Sequence, residues 1–193
     1  MNVGLSLKLD ILERDVAIAV GREAAKELNK ILFSMSNDTG IKTQIWGLVD
    51  LQIRNTPEYD SLLNGVLAAI FGLPDPGPIL DAIIATIKNS IDVDFSPAIF
   101  SASTGLSANF KVSLLNENFS DILALPGTST VINGEDVPWL KWLLTAGDTD
   151  VTPLFRIPPQ FTGTITDNWL TRAVEGLDEL MGNILFVELK RRF

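Results

Sequence analysis

Residues 91–114 read IDVDFSPAIFSASTGLSANFKVSL, and this stretch decides the fold because the period of the sequence changes here. Ile91, Val93 and Phe95 alternate with two aspartates, and apolar residues alternate with polar ones again over residues 108–114. A two-residue repeat predicts strands that bury one face and expose the other. The sequence therefore predicts that a sheet begins in this stretch.

The sequence before this stretch has the periodicity of helices. Apolar residues recur every three or four positions over residues 10–35, which predicts a long amphipathic helix that Asp10 caps. A cluster of turn-forming residues, 36–40, ends this helix. Residues 45–53 fit either a second helix or a buried strand, and we favour the helix. Further short helices are predicted near Pro57 and Ile79, since proline suits a first helical turn.

The later part of the chain contains weaker strand signals and two further helices. Residues 128–132 and 151–157 are strand candidates, and Asn133-Gly134 is a turn signal. Residues 137–144 predict a compact apolar helix with proline in its first turn. A last helix is expected over residues 168–192, with cations near its C-terminus.

The order of these elements predicts an α+β fold. We expect a long N-terminal helix, further helices, a small and mostly antiparallel sheet, and a long C-terminal helix. The chain has 193 residues and no internal repeat or linker, which predicts a single domain over residues 1–193. Its helical part covers about 1–90, its strand-rich part about 91–157 and its C-terminal helix about 167–192.

The charge of the chain argues against nucleic acid as a direct ligand. Lys and Arg total 15 against 24 Asp and Glu, which gives a formal net charge of −9 at pH 7. Affinity for DNA comes mainly from cationic side chains that displace counterions from phosphates. The hydrophobic fraction of 46% and the mean hydropathy of +0.25 are high for so acidic a domain, and they indicate apolar surface for subunit contacts.

The chain contains neither cysteine nor histidine. Zinc sites of thiolate and imidazole, Ser-His-Asp and Cys-His catalysis, and haem ligation by either residue are therefore excluded. The sequence has no glycine-rich phosphate loop, and no Ser-x-x-Lys motif begins at Ser90, Ser107 or Ser113. We therefore expect a protein that is not an enzyme and that carries no cofactor.

No segment of the sequence predicts secretion or a membrane span. The first residues lack the apolar stretch and the cleavage site of a signal peptide. The apolar run over residues 79–87 is less than half of the roughly 20 residues that cross a bilayer. We expect the chain to be made in a cytoplasm and to have no membrane partner.

Two pairs of aspartates have a spacing that acid/base catalysis or a metal site could use. Asp92 and Asp94 lie on one face of a predicted strand, and Asp148 and Asp150 lie in a predicted loop. Neither pair is accompanied by a third ligand or by a calcium-loop pattern. We therefore favour solvated surface for both pairs, and we predict no catalytic residue and no metal site.

Aromatic residues provide the candidates for a subunit interface. Trp139 and Trp142 are three residues apart on one side of a short helix, where they either fill the core or anchor a neighbouring chain. Trp169, at the start of the last helix, is a further candidate anchor. Consecutive prolines in residues 156–161 predict an extended arm that reaches a partner. The candidate interface residues are Trp139, Trp142, Pro158, Pro159, Phe161 and Trp169.

Three stretches of the chain resemble one known family. Residues 56–65 read TPEYDSLLNG, residues 137–144 read VPWLKWLL, and residues 157–164 read IPPQFTGT and precede DNWLTRA at 167–173. Together they resemble the neck or tail-completion proteins of tailed bacteriophages, over about residues 56–193. The chain differs from the family pattern at Lys141, where an acidic residue is expected.

The resemblance implies a mechanical function. Copies of the chain would form a homo-oligomeric ring of six or twelve that joins the portal side of the head to the tail and lets DNA pass as cargo. It implies a virion protein at the head-to-tail junction, in contact with other neck, portal-side and tail proteins, after assembly in the host cytoplasm. A tail-tube or sheath terminator ring is the alternative within this class. A soluble small-molecule binding protein, with Trp139, Trp142 and Phe161 around an apolar pocket, is the alternative from another class.

Overall fold

The computed structural model shows the α+β fold that the sequence predicts. It describes residues 2–7, 14–114, 119–145, 151, 152, 155 and 168–193. Within these residues the elements follow in the order β1 (Asn2–Leu7), α1 (Arg14–Ser36), α2 (Thr39–Arg54), α3 (Pro57–Leu63), α4 (Val66–Ile70), α5 (Gly77–Ser90), β2 (Asp92–Phe95), β3 (Ile99–Ser101), β4 (Gly105–Ser113), α6 (Ser120–Leu123), β5 (Thr130–Ile132), β6 (Glu135–Val137), α7 (Trp139–Thr145), α8 (Trp169–Val174) and α9 (Asp178–Arg192).

The strands in these ranges form a four-stranded sheet and a separate two-stranded hairpin. Each strand pairing in the described part of the chain is antiparallel, which confirms the small antiparallel sheet that the sequence predicts. Among the described helices, none combines the length and the apolar character that crossing a membrane requires.

The chain divides into two compact units, each assembled from separate stretches of sequence. Unit 1 consists of Met1–Trp46, Ile91–Leu114 and Leu177–Phe193, and unit 2 consists of Gly47–Ser90 and Leu115–Gly176. The predicted change from helical periodicity to strand periodicity near residue 90 falls on a boundary between the units. The first 46 residues, however, belong to the same unit as the strand-rich stretch. The single domain expected from the sequence stays a prediction.

Strand β4 is the centre of the sheet in unit 1, because both of its edges are paired. β1 pairs with one edge, from Asn2 opposite Lys111 to Leu7 opposite Leu106. β2 and β3 share the other edge, where β2 pairs with the end of β4 and β3 with its beginning. The sequence analysis predicted β2 and β4 and missed the other two strands. β3 is too short to show a period, whereas β1 does alternate apolar residues with small or polar ones.

Helix α1 packs against the buried face of this sheet. The buried residues alternate along β4 and recur at three- and four-residue steps along α1; they are Leu106, Ala108, Phe110 and Val112, and Ala25, Leu28, Leu32 and Met35. The amide of Asn29 fixes the contact, since it donates to the carbonyl of Ala98 (3.3 Å) and accepts from its N–H (2.6 Å). Val16 and Val20, which the sequence places on the apolar face of α1, are 56% and 52% exposed.

Asp38 connects the turn after α1 to the end of α9. Its Oδ1 accepts hydrogen bonds from the N–H groups of Gly40 (2.7 Å) and Ile41 (3.2 Å), and so it caps α2. Its Oδ2 forms an ion pair with Arg192. The contact with Arg192, followed by the two backbone hydrogen bonds, lowers the pKa of Asp38 below its ordinary value of 3.8. The predicted turn cluster does end α1, although Thr39 already begins α2.

Unit 2 contains the shorter helices and the hairpin. Its largest fully buried side chains come from six helices and from Phe71, the C-cap of α4. They include Ile53, Leu62, Leu67, Phe71, Leu80, Trp139 and Trp169. Residues 45–53 belong to α2, as favoured over a strand. Pro57 is the first residue of α3, which confirms the predicted start of that helix.

The β5–β6 hairpin turns at Asn133 and Gly134, which have φ angles of 53° and 84°. Positive φ at both central residues is the geometry that the favoured two-residue hairpin turns require. Because β6 extends to Val137, helix α7 begins at Trp139, two residues later than predicted. The strand candidate at 151–157 lies mostly outside the described residues.

The last helix requires a correction. Where the sequence predicted one helix over residues 168–192, the structure has α8 up to Val174 and α9 from Asp178. Gly176 separates them with a φ of +81°, a left-handed conformation that glycine adopts without steric strain. The apolar period continues on both sides of this glycine, so the period alone does not reveal the break. Helix α1 begins at Arg14, and its predicted cap, Asp10, lies outside the described residues.

The contact between α1 and β3 generates a prediction at Gly21. A Cβ atom at this position would lie less than 3.0 Å from the ring of Phe100. Glycine to alanine in a helix ordinarily stabilises by about 1 kcal/mol, but overpacking costs about 1–3 kcal/mol. We therefore predict that Gly21→Ala lowers the free energy of unfolding, measured by urea denaturation. Gly47 of α2 has nothing within 4 Å of that position, so Gly47→Ala is the control and should stabilise. Equal gains at the two positions would contradict the packing.

The lowered pKa of Asp38 predicts how unit 1 responds to acid. A carboxyl with a depressed folded-state pKa contributes stability above its unfolded pKa and loses it as the pH falls through the folded-state pKa. Asp38→Asn keeps a capping side chain but removes the charge that pairs with Arg192, so the variant should be less stable than the native chain at pH 7. The difference in Tm between the two proteins should shrink as the pH falls below 3.8. A difference that does not change with pH would show that the ion pair contributes nothing.

Candidate functional site

The aromatic residues of α7 lie in the interior of unit 2. Trp139 is fully buried and Trp142 is 4% exposed. The ring of Phe71 packs against both, with centroid distances of 6.0 Å to Trp139 and 5.6 Å to Trp142. The indole N–H of Trp139 donates to the carbonyl oxygen of Gly127 (2.8 Å). Both rings therefore fill the core, which is the first of the two roles that the sequence allows.

Trp169 is also fully buried, and it is hydrogen-bonded to the start of α3. Its indole N–H donates to the hydroxyl oxygen of Thr56 (2.8 Å). Thr56 is the N-cap of α3: its hydroxyl donates to the carbonyl of Ile53 (2.7 Å) and accepts from the N–H of Tyr59 (3.3 Å). One threonine hydroxyl thus connects the ends of α2, α3 and α8.

A buried ion pair also joins α3 to α8. Glu58, the second residue of α3, is fully buried, and its Oε1 accepts a hydrogen bond from Nη2 of Arg172 in α8. The side chain of Arg172 is 34% exposed. Within the part of the chain that the structure describes, Oε2 of Glu58 has no hydrogen-bond partner. A buried carboxylate of this kind depends on its opposite charge, because an unpaired charge in the interior is costly.

A second group of charges joins α2 to α3 and α5. Arg54 donates to Asp50 (2.8 Å) and to the hydroxyl of Tyr59 (2.5 Å), and it lies 3.5 Å from Asp81. Its guanidinium also lies 5.4 Å from the centroid of the Tyr59 ring, within reach of a cation–π interaction. The hydrogen bond with Asp50 is the main cause that raises the pKa of Arg54. Tyr59 is therefore held by this group on one side and by the capped end of α3 on the other.

The contacts of this arrangement join helices to one another. Arg172 of α8 pairs with the buried Glu58 of α3, and Trp169 of α8 donates to the cap of α3. No group of three or more acidic side chains with metal-binding geometry occurs in the described ranges. We therefore identify Thr56, Glu58, Trp169 and Arg172 as the polar junction of unit 2, a set of contacts that fixes α3 against α8.

The structure changes the interpretation of the predicted interface residues. Trp139, Trp142 and Trp169 are buried inside unit 2, so they offer no surface to a neighbouring subunit in this structure. The physical reason is that each ring is held by packing or by a hydrogen bond within the unit. The other three candidates, Pro158, Pro159 and Phe161, lie outside the described residues.

The first aspartate pair lies on the solvent-facing side of β2, as the sequence analysis favoured. Asp92 and Asp94 are exposed on either side of the buried Val93. The Nζ of Lys42 lies 3.1 Å from the carboxylate of Asp92, a surface ion pair. Asp148 and Asp150 lie outside the described residues.

The sequence analysis named Trp169 only as a candidate interface residue and gave no role to Thr56, Glu58 and Arg172, whose signals differ. Thr56 followed by Pro57 is a recognisable helix start, which could have identified Thr56 as a cap. Glu58 and Arg172 are 114 positions apart, and neither carries a local signal of the other. Their pairing follows from the return of the chain to α3, which only the tertiary structure shows.

Comparison of this chain with protein-family models, with curated proteins and with solved structures finds no match.

The Glu58–Arg172 pair generates a prediction in which the two partners behave differently. Arg172→Gln leaves a buried carboxylate without its opposite charge, so the loss should approach the roughly 3–5 kcal/mol typical of broken buried pairs. Glu58→Gln should cost less, because Arg172 keeps its contact with water. Urea denaturation measures both losses, and the double variant should lose less than their sum.

The exposed ion pair between Lys26 and Glu23 provides the control for this comparison. Lys26→Gln removes the same kind of contact from the surface, where such pairs contribute about 0–1 kcal/mol. If Arg172→Gln were as mild as Lys26→Gln, the buried pair would not stabilise the junction.

Proposed function

We propose that this protein is a non-enzymatic structural protein of the head-to-tail interface of a tailed bacteriophage, where copies form a ring of six or twelve around the path of the DNA. The proposal begins from the three stretches of sequence that resemble neck and tail-completion proteins. In unit 2 the first and third of these stretches are in contact, because Trp169 donates to Thr56 and Arg172 pairs with Glu58. Residues that carry the resemblance at distant positions therefore belong to one packed junction.

The observation that carries the oligomeric part of the proposal is the exposed apolar surface of unit 1. Large apolar side chains are exposed along α1 and α9; they include Val16, Val20, Phe33, Leu180, Val187 and Phe193. Val16 and Val20 are four residues apart and Leu180 and Val187 are seven apart, spacings that put each pair on one face of its helix. Exposed apolar faces of this kind are typical of protein contacts, and a ring would cover them on every copy.

The distribution of charge supports a channel through which DNA passes without being held. Unit 2 contains 5 Lys and Arg against 13 Asp and Glu, a net charge of −8, whereas unit 1 contains 10 against 11, a net charge of −1. A negative surface repels the phosphates of DNA and does not retain them. DNA is therefore proposed as passing cargo, and the direct partners are other neck, portal-side and tail proteins.

Pro158, Pro159 and Phe161 stay in the proposal as candidate contacts with a neighbour. The residues that flank them along the chain are packed in unit 2. The ring of Phe155 lies 6.2 Å from that of Phe71, and Trp169 is bonded to Thr56.

Interruption of the gene in the phage tests the proposal. A phage with a stop codon in this gene should accumulate full heads and free tails, and the chain supplied from a plasmid should restore joined particles. Gold bound to an N-terminal tag should lie at the head-to-tail junction in the electron microscope. Joined particles formed without the chain would contradict the proposal. A tail terminator would place the gold one layer lower, so the axial position of the label distinguishes the two rings.

A further inference from the structure

A patch at the end of α9 combines exposed aromatic rings with a cation. Phe186 and Lys190 are four residues apart on one face of α9, and Phe193, the C-cap of the helix, follows three residues after Lys190. The Nζ of Lys190 lies 4.3 Å from the centroid of the Phe186 ring, a cation–π contact. Phe186 is 38% exposed and Phe193 is 64% exposed. We refer to these three residues as the α9 patch.

The hairpin of unit 2 carries the complementary chemistry. Val131 and Asp136 are directly opposite each other in the β5–β6 pairing, so their side chains lie on the same face. Val131 is 74% exposed, and Asp136 is exposed beside it. An apolar side chain next to a carboxylate matches aromatic rings next to an ammonium group. We refer to Val131 and Asp136 as the hairpin patch.

We propose that the α9 patch of one copy binds the hairpin patch of a second copy. The inference rests on the proposed ring and names the surfaces that form it. The rings of Phe186 and Phe193 would cover Val131, and Lys190 would pair with Asp136. Aromatic side chains supply much of the affinity at such contacts, and charge complementarity fixes their register. The net charge of −8 on unit 2 also attracts the cationic Lys190 of the neighbouring copy.

The two patches differ, and this determines the kind of assembly. A contact between different surfaces is heterologous, so each copy binds one neighbour through its α9 patch and another through its hairpin patch. Repetition of the contact closes a ring when the rotation from one copy to the next divides a full turn. The exposed side chains of both patches would then be covered on every copy.

The α9 patch fits a protein surface better than it fits DNA. Arg191 donates to Glu188 (2.7 Å) and Arg192 pairs with Asp38, so two cations beside the patch are already neutralised within unit 1. Affinity for DNA rises with the number of phosphates that cationic side chains neutralise. The exposed phenylalanines also require an apolar partner, which the hairpin patch supplies.

Charge exchange between two variants tests the contact in the purified chain. Sedimentation velocity should show association of the native chain that increases with concentration and weakens at high salt. Lys190→Glu and Asp136→Lys should each weaken association roughly tenfold or more, because each brings like charges together. An equimolar mixture of the two variants should recover association, since Glu at 190 then meets Lys at 136 and Lys190 meets Asp136. Recovery in a mixture is an effect that altered folding of either variant cannot produce.

Lys111→Glu is the matched control, because it makes the same charge reversal at an exposed position of β4, on the face opposite to the one that packs against α1, and should leave association unchanged. A native chain that stays monomeric at every concentration would overturn the inference, and so would a mixture that associates no better than the single variants. Fluorescence anisotropy with a labelled DNA duplex tests whether the α9 patch binds DNA instead of a second copy. DNA binding by the native chain that Lys190→Glu abolishes would assign the α9 patch to nucleic acid and overturn the contact between copies.

The inference and the proposed function fail in different ways. Association that the mixture restores, in a chain that is absent from the head-to-tail junction, would support the contact and overturn the phage function. Gold at the junction, together with association that none of the variants changes, would support the phage function and overturn the contact.

Discussion

A carboxylate that has lost contact with water needs an opposite charge beside it, and in unit 2 this requirement holds α8 against α3. Glu58 lies in the first turn of α3, and its charge is compensated by Arg172 of α8, 114 residues later in the sequence. The hydrogen bond from Trp169 to Thr56 adds a second directional contact at the same place. Hydrogen bonds are directional, so these two contacts fix the position of α8 against α3 more narrowly than apolar packing does. The long excursion of the chain between the two helices must therefore return to this junction.

The fold class could be predicted because local signals and hydrophobic period agreed over most of the chain. Pro57 marked the start of α3, and the alternation in β2 and β4 revealed the sheet. The break between α8 and α9 was not predicted, because the apolar period continues in phase while Gly176 adopts a positive φ that ends the helix. β3 was not predicted, because three residues are too few to show a hydrophobic period. This strand is held by its pairing with β4. The two errors have different causes, since the break depends on the backbone angle of one glycine and β3 depends on its pairing with another strand.

The candidate site was harder to predict than the fold. In α7, Trp139, Leu140, Trp142, Leu143 and Leu144 are all buried, so the apolar residues of that helix lie in the core and only Lys141 and Thr145 are exposed. The sequence carried a signal of this, because a helix that is apolar almost all round belongs in a core. The pairing of Glu58 with Arg172 had no such signal. A residue's chemistry can be read locally, but its partner across the chain is decided by the tertiary structure.

Unit 1 is assembled from three stretches of sequence, and the stretch that carries α9 is the last of them to be synthesised. Both stretches of unit 2 leave the ribosome before it, so unit 2 can fold while unit 1 still lacks a helix. The ion pair between Asp38 and Arg192 joins the first stretch to the last and can form only at this final stage. A nascent chain therefore does not display the α9 patch until both units have been translated. Under the proposed contact, unfinished chains would therefore lack one of the two surfaces through which copies join.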